Sequence, residues 1–145
     1  MKIFIGSDHA GFELKQKLIS FIGSLGHEIV DKGAFTHDEH DDYPDFIIPV
    51  AEEVVKDSTS RGIILGGSGQ GEAIAANRVK GARAAVFYGG PLDIVELSRE
   101  HNDANILSIG ARFVSEGEAE TAVQLWLETP FSGDERHMRR IKKVG

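Results

Sequence analysis

Apolar residues along the chain alternate between two rhythms. Short β-rich runs occur at 2–6, 28–31, 63–66, 82–87 and 105–110, and each is too short to be a helix. Between them the apolar positions recur at helical spacing. Leu14, Leu18, Phe21, Ile22 and Leu25 predict a first helix, with Gly26 as its C′ stop. Phe46, Ile47, Val50, Ala51 and Val54 predict a second. Pro49 removes a backbone donor there, so that helix either starts late or kinks. A third helix runs to about Asn77, and a fourth leads from Gly89-Gly90-Pro91 to about His101. Ser115-Glu116-Gly117-Glu118 reads as a capping box opening a fifth, which buries Ala119, Ala122, Val123 and Trp126. Strands alternating with helices in this way predict an α/β chain, a three-layer α/β/α sandwich around a five-stranded parallel sheet of Rossmann-like type. With no internal repeat and no low-complexity linker, residues 1–145 read as a single domain with a basic tail from about 131 to 145.

Composition narrows the function classes. The chain has 145 residues, 41% of them hydrophobic, enough for one real core. It has no cysteine, which excludes disulfides, thiolate metal sites and a Cys nucleophile. That usage suits a reducing, cytoplasmic setting. No stretch reads as a secretory leader, and no apolar run is long enough to span a membrane. A net charge of −7 argues against nucleic acid as a partner. The charge is uneven: Asp38, Glu39, Asp41, Asp42 and Asp45 crowd one loop, while Arg136, Arg139, Arg140, Lys142 and Lys143 crowd the tail.

The most informative stretch follows the third strand. Ile63-Ile64-Leu65 ends in Gly66-Gly67-Ser68-Gly69-Gln70-Gly71-Glu72 and then re-enters a helical pattern. Such a loop lets backbone approach a ligand closely, and a helix start offers free N–H groups to an anion. The spacing from Gly66 to Gly71 is that of a phosphate loop, but Glu72 stands where a nucleotide site needs Lys. A carboxylate there repels a polyphosphate. The dinucleotide spacing is also missing. The loop is suited to a small oxyanion beside a carboxylate that moves protons; a plain turn with a solvated Glu is the bland alternative.

Other candidates lie where strands end, the usual ligand edge of a parallel sheet. Asp8-His9 follows the first strand and Arg112 the fifth. Each has a bland reading. Asp8 alone reads as an N-cap, His101 as a partner for a helix C-terminus, and the tail as a solvated helix. His27, His37 and His40 have no metal-ligand spacing, so neither metal nor cofactor is expected. Taken together, a carboxylate, an oxyanion loop, two histidines and several arginines fit proton shuttling on a phosphorylated small molecule.

A set of motifs in order along the whole chain resembles the type B ribose-5-phosphate isomerase family, which also contains the galactose-6-phosphate isomerase subunits. They are Gly6-Ser7-Asp8-His9-Ala10-Gly11-Phe12, Asp42-Tyr43-Pro44, the loop 66–72, Ala75-Ala76-Asn77-Arg78, 98–105 and Arg136-His137. The resemblance implies an aldose–ketose isomerase of the pentose phosphate pathway, needing no metal or cofactor. It also implies a homodimer, or dimer of dimers, whose sites are shared between subunits. In the family's better-known branch a Cys at the position of Gly66 is the base; this chain is similar to the branch with Glu at position 72. By the same resemblance His101, with Asp8 nearby, opens the sugar ring and Glu72 moves the proton between C2 and C1. Ser68 shifts the proton between O1 and O2. Gly67, Gly69, Gln70, Gly71 and Asn102 stabilise the enediolate, and His9, Arg112, Arg136 and Arg140 hold the phosphate. Tyr43 and His137 match pocket positions. A tetrose or hexose phosphate as substrate, or a non-catalytic phosphosugar-binding module that keeps the arginines without needing Glu72, remain the alternatives.

Overall fold

A computed structural model describes residues 1–145. Five parallel strands form one sheet: β1 (Lys2–Ser7), β2 (Glu28–Asp31), β3 (Arg61–Gly66), β4 (Ala84–Phe87) and β5 (Ile106–Gly110), in the order β2-β1-β3-β5-β4. Six helices accompany them: α1 (Phe12–Ser24), α2 (Pro44–Lys56), α3 (Gln70–Asn77), α4 (Asp93–Glu100), α5 (Glu116–Glu128) and α6 (Glu135–Val144). The predicted α/β sandwich is the architecture found.

The central strands are buried on both faces, which is why 63–66 reads as a continuous apolar run rather than an alternating one. On one face Ile3, Ile5, Ile63, Leu65, Leu107 and Ile109 pack against Leu18 and Ile22 of α1, Val95 of α4 and Ala119, Ala122, Val123 and Trp126 of α5. On the other, Phe4, Ile64 and Ile106 meet Ile47, Val50, Ala51 and Val54 of α2 and Ala76 of α3. Each fully buried Ile or Leu contributes about 1.5–3 kcal/mol.

Helix ends follow their signals. Gly26 takes φ +93° after α1, a conformation that costs glycine little. The Ser115/Glu118 capping box forms in both directions. Helix α2 begins at Pro44 and runs through Pro49, so of the two expectations there the late start is ruled out; Pro44 suits the first helical position and later turns hold the helix to the sheet. Phe46, Phe21, Leu14 and Leu25 are half-buried. Conversely Lys15, a polar position in the α1 pattern, is fully buried; its Nζ donates to Asp31 Oδ1 (2.7 Å) and to the Ala34 carbonyl (2.6 Å).

Strand order fixes where a ligand can sit. The chain leaving β1 turns toward β2, and the chain leaving β3 turns the other way toward β4. Their loops diverge and leave a crevice between the carboxyl ends of β1 and β3.

Candidate active site

Asp8 and His9 enter this crevice from the end of β1. Asp8 is buried and its Oδ1 accepts the Ala10 N–H (3.0 Å), capping a single 3-10 turn at His9–Gly11. The N-cap geometry is therefore present, yet it leaves Asp8 close enough to Glu72 to disfavour a second negative charge there. His9 donates from Nδ1 to Asp41 Oδ1 (2.7 Å), and its backbone N–H reaches the same oxygen (3.2 Å). That bond raises the His9 pKa above its ordinary value against the effect of burial, with Asp8 adding to the rise and Arg112 opposing it. Asp8, His9 and Asp41 also bring ligand-type atoms within 4.8 Å of one another. His9 and Asp41 are already bonded to each other, so a cation there would have to displace that bond.

The Gly-rich loop supplies the opposite wall. Gly69 is left-handed (φ 79°) at the N-cap of α3. The loop is held from below by Ser108, whose buried hydroxyl donates to the Gly69 carbonyl (2.7 Å). Ser68 Oγ accepts the Gln70 N–H (3.2 Å). Glu72, in the first turn of α3, is only 4% exposed, and its Oε2 is buried without a hydrogen-bond partner. Burial raises its pKa. The Glu72 and Gly69 amides oppose the rise and Asp8 adds to it. A buried carboxyl with an idle oxygen at the head of a ligand crevice is placed to take a proton.

Arg112 and Tyr43 close the sides. The Arg112 guanidinium lies 3.2 Å from where a Cβ on Gly67 would be, and the Arg112 backbone N–H donates to the Gly67 carbonyl (3.1 Å). Tyr43 sets its hydroxyl 2.6 Å from the Cβ position of Gly71. A cavity of about 570 Å³ opens beside them, lined by His9, Ala10, Glu13, His37, Glu39 and Arg112.

The second group of residues lies elsewhere. His101 caps the C-terminus of α4, and 101–105 leads into the start of β5. Because β5 is parallel to β1 and β3, His101 stands at the amino ends of the strands, at the edge away from Asp8. Five residues of β5 separate the two edges, roughly 16 Å. The expectation that His101 has Asp8 nearby is therefore corrected within one chain. Asn102 is exposed at this second edge. The tail joins it there: Ser132 N–H bonds the Glu100 carbonyl (3.2 Å), and buried His137 stacks on His101 at 4.2 Å with 19° between rings. Burial lowers the His137 pKa, as does neighbouring His101. Arg136 and Arg140 stand exposed on the same helix. One chain thus places the candidate residues in two separate groups, Asp8, His9, Tyr43, 67–72 and Arg112 at one edge and His101, Asn102, Arg136, His137 and Arg140 at the other.

Asp41, His37 and Ser108 belong to the first group without any sequence signal. Asp41 sits in an acidic run, His37 packs edge-on to His9 at 6.2 Å, and Ser108 interrupts an apolar strand.

Residues 3–144 match the model of a family described as Ribose/Galactose Isomerase. The chain belongs to this family. Among its relatives, the chain is 48% identical over 141 residues to ribose-5-phosphate isomerase B of Mycolicibacterium paratuberculosis, covering 97% of this chain and 87% of the other. It is 38% identical to that of Escherichia coli, covering 99% and 93%. Of solved structures in the family, ribose-5-phosphate isomerase B of Mycoplasma genitalium with bound ribulose-5-phosphate superposes with a TM-score of 0.93 at 40% identity, covering 99% of this chain and 93% of that one. The Clostridium thermocellum enzyme gives 0.92 at 46%, covering 100% and 95%. Membership brings the fold with it: the five-stranded parallel sheet and its helices are those of this isomerase family.

Proposed function

We propose that this chain interconverts ribose 5-phosphate and ribulose 5-phosphate, the aldose–ketose step of the pentose phosphate pathway, through a cis-enediolate with Glu72 as the base. The observation that carries the reading is the Glu72 carboxyl, buried with Oε2 unpartnered at the ligand crevice of the sheet. A base near neutral pH needs a raised carboxyl pKa, and burial supplies it.

In the step itself, ring opening breaks the C1–O4 bond; His101 takes the O1 proton and passes it to O4. Glu72 then removes the C2 proton and returns it to C1, while Ser68 relays a proton between the two oxygens. The negative charge that develops on oxygen is met by the amides of 67–71. Each such donor contributes roughly 3–4 kcal/mol to catalysis. His9, whose charged form the bond to Asp41 favours, and Arg112 hold the phosphate.

The two groups support a shared site. In a two-fold dimer the same surfaces meet twice, so the carboxyl edge of one subunit can receive His101, Asn102, Arg136, His137 and Arg140 from its partner, giving two complete sites. A lone subunit would contain none.

A coupled assay over ribose, allose, galactose and erythrose phosphates, with and without chelator, tests the reading. Ribose 5-phosphate should be turned over fastest and chelation should change nothing. Preference for another sugar would displace the substrate. Loss with chelator, restored by a divalent ion, would move the chemistry to Asp8, His9 and Asp41.

A further inference from the structure

Asp103 is the one residue other than glycine with a positive φ (+46°). Left-handed backbone is tolerated by Asp better than by most side chains, but it is seldom adopted without a reason. Both carboxylate oxygens are bound: Oδ1 accepts from Arg99 (2.9 Å) and Oδ2 from Arg83 (3.3 Å). The Asp103 carbonyl accepts from Arg83 Nε (3.0 Å). Arg99 is itself buried and donates to the carbonyls of Ala104 (2.6 Å) and Thr129 (3.1 Å). Just beyond, the Asn105 side chain accepts the Arg83 N–H (2.7 Å) and donates to the Gly81 carbonyl (3.0 Å).

This network clamps a turn that packing holds only in part: Ala104 is buried and His101 stacks on His137, but Asn102 is exposed and His101 and Asp103 are only half-buried. Stability alone explains it poorly. Asp103 is 38% exposed and its pair with Arg83 contributes little; buried Arg99 keeps its bonds to the Ala104 and Thr129 carbonyls without the carboxylate. What the clamp does fix is direction: the left-handed residue turns the chain immediately after His101-Asn102.

We propose that Asp103 is a positioning residue, held by Arg83 and Arg99, that aims His101 and Asn102 at the site they complete. The inference rests on the shared-site reading above. It predicts that loosening the turn slows ring opening while leaving phosphate binding alone, because the phosphate-holding arginines are on other elements.

The test uses Asp103→Gly, which keeps the backbone shape accessible but removes the carboxylate, with Asp103→Asn as the conservative variant. Ring opening is read directly in a Glu72→Gln background, where isomerisation is blocked and NMR exchange between the α and β furanose anomers of ribose 5-phosphate reports the open chain. Asp103→Gly should melt within about 5 °C of the parent. It should lose ~10-fold or more in kcat per folded molecule, with KM within about twofold. Anomer exchange should fall by a like factor, and Asp103→Asn should recover most of both. Should the glycine variant not fold, Arg83→Met removes the bonds to the Asp103 carboxylate Oδ2 and carbonyl while leaving the Arg99 pair, and carries the same expectation. Unchanged kcat per folded molecule, or a loss confined to KM, overturns the proposal. A fully active His101→Asn enzyme would instead remove the reading beneath it.

Discussion

The carboxyl group of Glu72 fills the space that a side chain on Gly66 would need: a Cβ built there falls inside the Glu72 carboxyl. The two positions are mutually exclusive in this loop conformation. The loop therefore has room for one side chain at a time, at position 66 or from position 72.

Gly66→Cys should consequently lose activity and stability together. Overpacking costs about 1–3 kcal/mol, and relief comes only if Glu72 leaves its pocket. The double variant Gly66→Cys/Glu72→Ala clears the space and should melt above Gly66→Cys alone, a non-additive pair in a double-mutant cycle. Equal melting temperatures for Gly66→Cys and the parent would show that the space is not shared.

Burial of Glu72 also has a stability signature. Its folded-state pKa is raised, so at low pH, with the carboxyl protonated in both states, it costs nothing. As pH rises the unfolded chain ionises first, and the native state loses relative stability until Glu72 too is charged. Glu72→Gln should therefore melt higher than the parent at neutral pH, with the gap closing as pH falls through the ordinary carboxylate range. Thermal melts at several pH values check it; a gap independent of pH would mean that the charge is not the cause.

Much of this was legible in the sequence, and the failures have physical reasons. The Gly spacing and Glu72 stood out because a tight strand-to-helix turn needs its glycines within a few residues. Asp41 did not, because its bond to His9 spans 32 positions and looks like one more acid in a solvated run. Lys15 reads as surface until Asp31 and the Ala34 carbonyl meet it. His101 is the instructive case. The resemblance sets it near Asp8, yet a helix returning from one parallel strand to the next must end at the amino edge, away from Asp8 of the same chain. That rule was available without coordinates.

His9 gives a pH dependence of substrate binding. Asp41 raises its pKa, so its positive charge is fully present below the ordinary histidine value and is lost as pH rises through the raised one. KM should climb across that interval, with Asp8 extending it and Arg112 shortening it. In Asp41→Asn the climb should begin at lower pH. Comparing the two enzymes on one substrate cancels the phosphate's own titration. Superimposable KM profiles would detach Asp41 from phosphate binding.

Shared sites predict complementation. Arg136→Ala and Arg140→Ala should each lose about 1.5–3 kcal/mol of substrate binding, the scale of a charged hydrogen bond. Arg139→Ala should lose much less, because positions 136 and 140 share a helical face that 139 does not. Mixing Glu72→Gln with Arg136→Ala subunits leaves one intact site per heterodimer and should restore part of the activity. Verified heterodimers without activity would return the tail to its own subunit.

The base itself is tested most directly by turnover of Glu72→Gln on ribose 5-phosphate. The amide keeps the shape of the side chain and cannot accept the C2 proton. The folded variant should lose about two to four orders of magnitude in kcat, with KM little changed. Near wild-type turnover would contradict the account and take Glu72 out of the chemistry.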